Sequence, residues 1–285
     1  MLRGFKKFIL KLLVKPLVVN EKPYKKNSHT APEFIIADER DFEKEKSQEP
    51  LKTDMKNLKN DEQKMLDNHF SFFSVDKNIS GLMTPEEKNA FLKQLRIKNE
   101  PVIVVGSTHD PEERIFLEAF RNIKNKIPSA KLILVPRHPE RFDSVAKLIT
   151  DKGFDLKRFS QNDDKEASVI LVDTMGQLKK CYQIATIAAV AGSWTAKVNG
   201  HNILEPSFYG KAEVYGPYMS SQPDFLRLMK DYNGGVQVLE RDIEKTLLQL
   251  LENQKERDKM GERGKQLVSE SKGALKRTLE ALSLF

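Results

Sequence analysis

Residues able to do chemistry are concentrated in four short stretches of this 285-residue chain: GSTHDPEER (106–114), PRHPER (136–141), DTMGQL (173–178) and AGSWTAKVNGHNILEP (191–206). In the first, Ser107, Thr108 and His109 sit on a turn before a helix start made by Asp110, Pro111 and Glu113. These types suit either a set of donors facing a ligand or ordinary capping. In the second, Arg137 and His138 stand between Pro136 and Pro139. Proline fixes φ and lacks an N–H donor, so the two side chains project from a stiff loop. A guanidinium there suits a phosphate or a nucleobase; the alternative is a turn with a surface ion pair.

In the third stretch, Asp173 and Thr174 precede Met175-Gly176-Gln177, which reads as a helix opening. Free backbone amides at such an opening can hold an anion. In the fourth, Gly192-Ser193 makes a tight turn, and Gly200 and His201 lead into a helix carrying Asn202, Ile203, Leu204 and Glu205. Asn202 and Glu205 are i and i+3 and share a helix face. A nucleotide phosphate can rest on the amides there, and Glu205 can accept two hydrogen bonds from a ribose diol. The competing reading of Glu205 is a first-turn acid facing the helix dipole.

The elements that must position these stretches follow from apolar patterning. Short runs rich in Val and Ile appear at PVIVVG (101–106), KLILVP (131–136), SVILVD (168–173), IAAVAG (187–192), KAEVYG (211–216) and GVQVL (235–239). Amphipathic helical stretches separate most of them: PEERIFLEAFRNIKN, ERFDSVAKLITDK, MGQLKKCYQIA, NILEPSFYG and QPDFLRLMKDY. Such alternation predicts an α/β domain, a parallel sheet with helices on both faces. Its ligands bind at the carboxyl ends of the strands, where the four stretches fall. Residues 242–284 read as helical throughout, and TPEEKNAFLKQLRI (84–97) reads as a helix capped by Thr84 with Glu87 reaching back.

The rest of the chain divides by composition. Residues 1–19 carry Arg3, Lys6, Lys7, Lys11 and Lys15 and no acid, with Leu2, Phe5, Ile9, Leu12 and Leu13 at helical spacing. No apolar run approaches the ~20 residues of a spanning helix. A basic helix lying on an anionic membrane surface is expected, ended by Pro16; an amphipathic helix docked on the protein is the alternative. Residues 20–97 are charged and mixed in sign, interrupted by the apolar island NHFSFFSV (68–75), and read as a linker with one short helix near 84–97. Residues 98–285 form the folded domain. The net charge of +7 favours anionic partners, but no basic and aromatic residues cluster into a nucleic-acid module. The lone Cys181 excludes an internal disulfide.

There is no P-loop, no G-x-G-x-x-G after a strand and no nucleophile elbow. His109, His138 and His201 fall on three separate loops without cysteines or paired acids at ligand spacing. No metal and no cofactor is therefore expected. Asp163-Asp164 reads as a solvated pair.

Taken in order, GSTHDPEE, KLILVPRHPERF, VDTMGQL, AVAGS, NGHNILEP, YGP and the tail KGALKRTL resemble the carboxyl-terminal, donor-binding half of the 3-deoxy-D-manno-octulosonic acid (Kdo) transferases. The likeness runs over roughly residues 98–280. It implies the carboxyl-terminal domain of a GT-B glycosyltransferase, with CMP-Kdo as donor, a lipid A precursor as acceptor and no catalytic metal. Carried over by position, Pro136 and Arg137 would contact the cytidine nucleotide and Met175, Gly176 and Gln177 would hold it through their turn. Asn202, Ile203, Leu204 and Glu205 would bind phosphate and ribose. Ser107, His109, His138, Ser193 and His201 are further candidates from the same loops. Three positions depart from the family: Gln177 stands where Glu is usual, and Ala191 and Asn199 where Gly is usual. The family's acceptor-binding domain supplies a glutamate base; no glutamate in 1–97 sits in a matching motif, so the general base is unassigned.

The function implied is Kdo transfer in lipopolysaccharide biosynthesis, peripheral on the cytoplasmic face of the bacterial inner membrane, with a separate acceptor-domain chain as a possible partner. The alternatives are a non-catalytic CMP-sugar-binding module and another GT-B nucleotide-sugar enzyme such as an epimerase.

Overall fold

The computed structural model describes residues 81–161 and 164–282. The basic stretch 1–19, the charged arm to residue 80 with its apolar island, and Asp163 lie outside the described residues. Helix α1 (Pro85–Gln94) opens with the expected capping box. The Thr84 hydroxyl accepts from the Glu87 amide at 3.2 Å, and the Glu87 carboxylate accepts from the Thr84 amide at 2.8 Å.

Seven parallel strands follow: β1 (Val102–Thr108), β2 (Lys131–Pro136), β3 (Leu156–Arg158), β4 (Val169–Leu171), β5 (Ile187–Val190), β6 (Ala212–Tyr215) and β7 (Val236–Gln237). Their order in the sheet is β3-β4-β2-β1-β5-β6-β7. Val104 at the centre pairs with Ile133 on one side and Ala188 on the other. Strand β3 escaped the sequence reading because Leu156-Lys157-Arg158 is three residues long and has no apolar run.

The helices between strands are α2 (Glu112–Lys126), α3 (Phe142–Asp151), α4 (Leu178–Ile184), α5 (Leu204–Phe208) and α6 (Pro223–Tyr232). Side chains alternate across a strand. Val102, Val104, Ile133, Val135, Ile170 and Val172 accordingly face one core with Cys181 and Tyr182 of α4. Phe91, Leu95 and Ile97 join that core, so α1 packs on the sheet. Their intervening neighbours Ile103, Val105, Leu132 and Leu134 are buried on the other face.

The expected continuous helix from residue 242 is broken. Helix α7 (Ile243–Glu252) ends at Asn253, with φ −105° and ψ 80°, and α8 (Gln254–Leu282) begins anew. The Asn253 side chain accepts from the Glu256 amide at 3.1 Å; such a local bond competes with helix continuation. No helix among the described residues is long and apolar enough to cross a membrane.

From β1 the chain moves outward through β2, then re-enters at β5 on the opposite side of β1. The loops after β1 and β5 therefore diverge at a topological switch point, where open α/β sheets form their ligand crevice.

Candidate functional site

The register of β1 against β2 slips between Gly106 and Thr108, and Ser107 takes a left-handed φ of 59°. Irregularities of this kind re-aim side chains at strand ends. Here the chain turns so that Thr108 is buried and His109 faces the crevice loops. The Thr108 hydroxyl donates to Glu113 Oε1 at 2.6 Å. The Thr108 carbonyl accepts from the Arg137 amide at 3.1 Å and from Arg141 Nη1 at 3.2 Å. Arg141 in turn binds both oxygens of the buried Glu113. The proline-bounded loop after β2 is thus fastened to the loop after β1, and Arg137 is presented from it exposed. The Arg137 guanidinium makes no hydrogen bond or ion pair with a described residue.

Glu112 fastens the same loop to the one after β5. Its Oε2 accepts from the amides of His109 (3.0 Å) and Gly192 (2.8 Å), and its Oε1 from the amide of Trp194 (3.0 Å). Burial raises the carboxyl and the three amides partly offset it, leaving it pushed up to about 7. Ser193 has no free hydroxyl for a ligand: it donates to the Val190 carbonyl at 2.6 Å and accepts from the Gly216 amide at 2.7 Å.

Fastened this way, the three histidines from three loops come together. His109 Nε2 and His201 Nε2 are 2.9 Å apart, with the rings stacked at 5.1 Å between centroids. His138 meets His109 edge-on at 5.2 Å. Burial first, then the charges of His109, Arg137 and His138, hold His201 down to about 4. Burial likewise lowers His109, with His138, Arg141 and Arg137 adding to it and Glu113 opposing. The backbone leaves room for the stack only because residue 192 is glycine: a Cβ there would lie 2.5 Å from His201 Cδ2, and φ is +75°. Among the described residues no group of three or more His, Cys, Asp or Glu is arranged to hold a metal ion.

The start of α5 differs from the sequence reading. Asn202 and Ile203 precede the helix, so Asn202 does not share a helical face with Glu205. Instead its Oδ1 accepts from the Leu204 amide at 2.9 Å, a side-chain bond that occupies one of the amides expected to hold a phosphate. Ile203 and Leu204 are buried in the core. Glu205 is largely buried; burial raises its carboxyl, and the charges of Lys179 and Arg137 oppose the rise. Tyr182 and Tyr209 lie within electrostatic reach of it, and the Tyr209 hydroxyl is buried without a partner among the described residues.

After β4, Asp173 is committed to structure. Its Oδ2 accepts from Arg158 Nε and from the Ser160 hydroxyl, each at 2.6 Å, and its Oδ1 from the Ser160 amide at 2.8 Å. Burial raises its carboxyl, but the Ser160 and Arg158 bonds outweigh burial and hold it low. Helix α4 starts at Leu178, not at Met175. Gly176 turns the chain with φ +81° into open space, and Met175 is 51% exposed. Lys179, two residues beyond Gln177, brings this loop's charge to Glu205.

Arg137 therefore acts on His109 and His201, which His138 also acts on, and on Glu205, which Lys179 also acts on, with Pro136 at the buried end of β2. Sequence reasoning missed the Glu112 clamp, the Glu113–Arg141 pair and Lys179. Adjacent acids after a proline look the same whether they face solvent or clamp a loop.

No family model matches the chain. The chain is 36% identical over 199 residues to a 3-deoxy-D-manno-octulosonic acid transferase of Haemophilus influenzae, covering 67% of this chain and 45% of that protein. It is 39% identical over 165 residues to the enzyme of the same name from Aquifex aeolicus, covering 58% and 45%. Among solved structures it resembles the C-terminal CMP-Kdo binding domain of WaaA from Acinetobacter baumannii. There the TM-score is 0.60 with 27% identity, over 64% of this chain and 96% of that one. The chain spans less than half the length of these two curated relatives. Its seven-stranded parallel domain is that of the carboxyl-terminal half of a GT-B glycosyltransferase. Two thirds of the chain is thus related, in sequence and in fold, to the 3-deoxy-D-manno-octulosonic acid transferase family through that family's carboxyl-terminal half.

Proposed function

We propose that residues 98–285 bind CMP-Kdo and serve as the donor-binding half of a Kdo transferase that acts on a lipid A precursor. One observation carries the reading. Arg137, exposed and unpaired among the described residues, acts electrostatically on His109, His201 and Glu205 at the switch-point crevice. A cation facing a carboxylate across a strand-end crevice suits a ligand with a phosphate at one end and a diol at the other. The likeness to the CMP-Kdo binding domain of WaaA supports the same ligand.

In this reading Pro136 and Arg137 meet the cytidine nucleotide. Met175, Gly176 and Gln177 line it through their turn, and Asn202 to Glu205 meet phosphate and ribose, with Glu205 taking the diol. Since the Leu204 amide is already bonded to Asn202, the guanidinium of Arg137 is the main counter-charge for the phosphate. A base deprotonates the acceptor hydroxyl, which attacks the anomeric carbon. CMP departs with the electron pair of the cleaved bond, its new charge met by Arg137. No described residue is assigned as that base; an acceptor-binding half, on a separate chain or on a longer form of this one, would supply it. Residues 1–19 would hold the protein on the cytoplasmic face of the inner membrane.

Purified chain given CMP-Kdo and a lipid A precursor, alone and beside a candidate acceptor-binding half, should yield Kdo-lipid in at least the second mixture. No turnover in either would sink the transferase reading. Flotation on anionic liposomes should be lost in a chain starting at Asn20; equal flotation would remove the membrane claim.

A further inference from the structure

The His109–His201 pair has a property that the nucleotide reading does not use. With Nε2 facing Nε2 at 2.9 Å, one ring must donate and the other accept. The accepting ring carries its proton on Nδ1; the donating ring leaves its own Nδ1 open. One further proton can enter there, and the ring-to-ring hydrogen bond survives and becomes charge-assisted. A second proton would set N–H against N–H and break the contact. The pair is therefore a one-proton device.

Its surroundings disfavour that proton. His138 packs edge-on against His109, Arg137 acts on both rings, and Arg141 acts on His109 although it is paired with Glu113. Only acids temper this: Glu113 acts on His109, Glu112 grips the His109 amide, and Glu140 lies 3.8 Å from His138 Nδ1. Glu205 is the one further carboxylate on which Arg137 acts.

We propose that His109 and His201, flanked by Arg137 and His138, form a phosphate seat that takes up one proton from solvent as a phosphate monoester docks. The identity of the anion as the nucleotide's phosphate rests on the donor-site reading above. The chemistry fits a leaving nucleotide. In a sugar–nucleotide diester the phosphate carries one charge; released as a monoester it gains a second, and the seat gains its proton to match.

The test is a histidine Hε1 NMR titration of the whole chain in chloride, in inorganic phosphate and in CMP, with His109→Gln and His201→Gln used only to assign the two signals. Both anions should raise the midpoints of the two rings by at least about one unit, a tenfold change in proton affinity. Calorimetry of CMP binding in two buffers of different ionisation enthalpy, at a pH between the free and bound midpoints, should show net proton uptake, about half a proton for a one-unit rise and more for a larger one. Midpoints unmoved by either anion would overturn the seat. If CMP shifts other signals while the two rings titrate as in chloride, the seat fails and the nucleotide reading stands. If phosphate raises both midpoints and CMP does not bind, the seat stands and the nucleotide reading fails.

Discussion

Arg141 grips Glu113 with two parallel bonds, Nη1 to Oε1 at 2.6 Å and Nη2 to Oε2 at 2.9 Å. The pair ties the loop after β2 to the first turn of α2, and Thr108 completes it by donating to the same carboxylate. Removing one partner of a buried pair leaves the other charge uncompensated, which costs roughly 3–5 kcal/mol. Arg141→Ala should therefore lower the unfolding free energy by about 3 kcal/mol in urea, and Arg141→Lys, which loses the fork, should recover only part. A loss under about 1 kcal/mol would show that the loop is held by other means.

Two buried glutamates set a pH dependence of stability. Glu112 is pushed up to about 7, first by burial. Glu213 in β6 is raised well above the usual carboxylate range by burial; its Oε2 accepts from the Ser207 hydroxyl at 3.0 Å and its Oε1 has no partner among the described residues. A raised carboxyl binds more protons folded than unfolded. Its contribution is complete below the unfolded value and is lost as pH rises through the folded one. Thermal stability should therefore fall as pH climbs from the ordinary carboxylate range through 7, and fall further at higher pH. Glu213→Met should remove the later part of that fall. A variant as pH-sensitive as the parent above neutrality would contradict the assignment.

Gly192→Ala tests the room made for the histidine stack. The new Cβ would lie 2.5 Å from His201 Cδ2 at a φ of +75°. Strain of this kind costs about 1–3 kcal/mol. CMP affinity should drop about tenfold as His201 moves from His109, which is about 1.4 kcal/mol. Unchanged affinity would mean that the stack does not take part in binding.

Glu205→Gln keeps the shape and removes the charge. If Glu205 accepts a ribose diol, CMP should bind about tenfold more weakly, a loss near 1.4 kcal/mol, with thermal stability lowered little. Equal weakening of CMP and of 2′-deoxy-CMP would support the diol contact less than a selective loss for CMP.

Much of the scaffold was legible because it is local. KLILVP (131–136) is a strand over those six residues, and the capping box of Thr84 and Glu87 is written in four adjacent residues. The site was legible only as loops. His109 and His201 are 92 positions apart, and their contact follows from β1 and β5 being neighbours in the sheet, which spacing does not encode. Glu112 does not stand out because a sequence shows its helix position but not that the amides of Gly192 and Trp194 reach its carboxylate. Asn202 reads as helical in the sequence, which does not show its side chain accepting from the Leu204 amide ahead of the helix.

On the proposed function, the crevice edged by Arg137, His201 and Glu205 binds a cytidine nucleotide. Calorimetric titration of the chain with CMP, beside Arg137→Ala, tests it most directly. Saturable binding near one CMP per chain, weakened at least tenfold (about 1.4 kcal/mol) in Arg137→Ala, is the expected result. No binding to the parent chain, or equal binding to both, would contradict it.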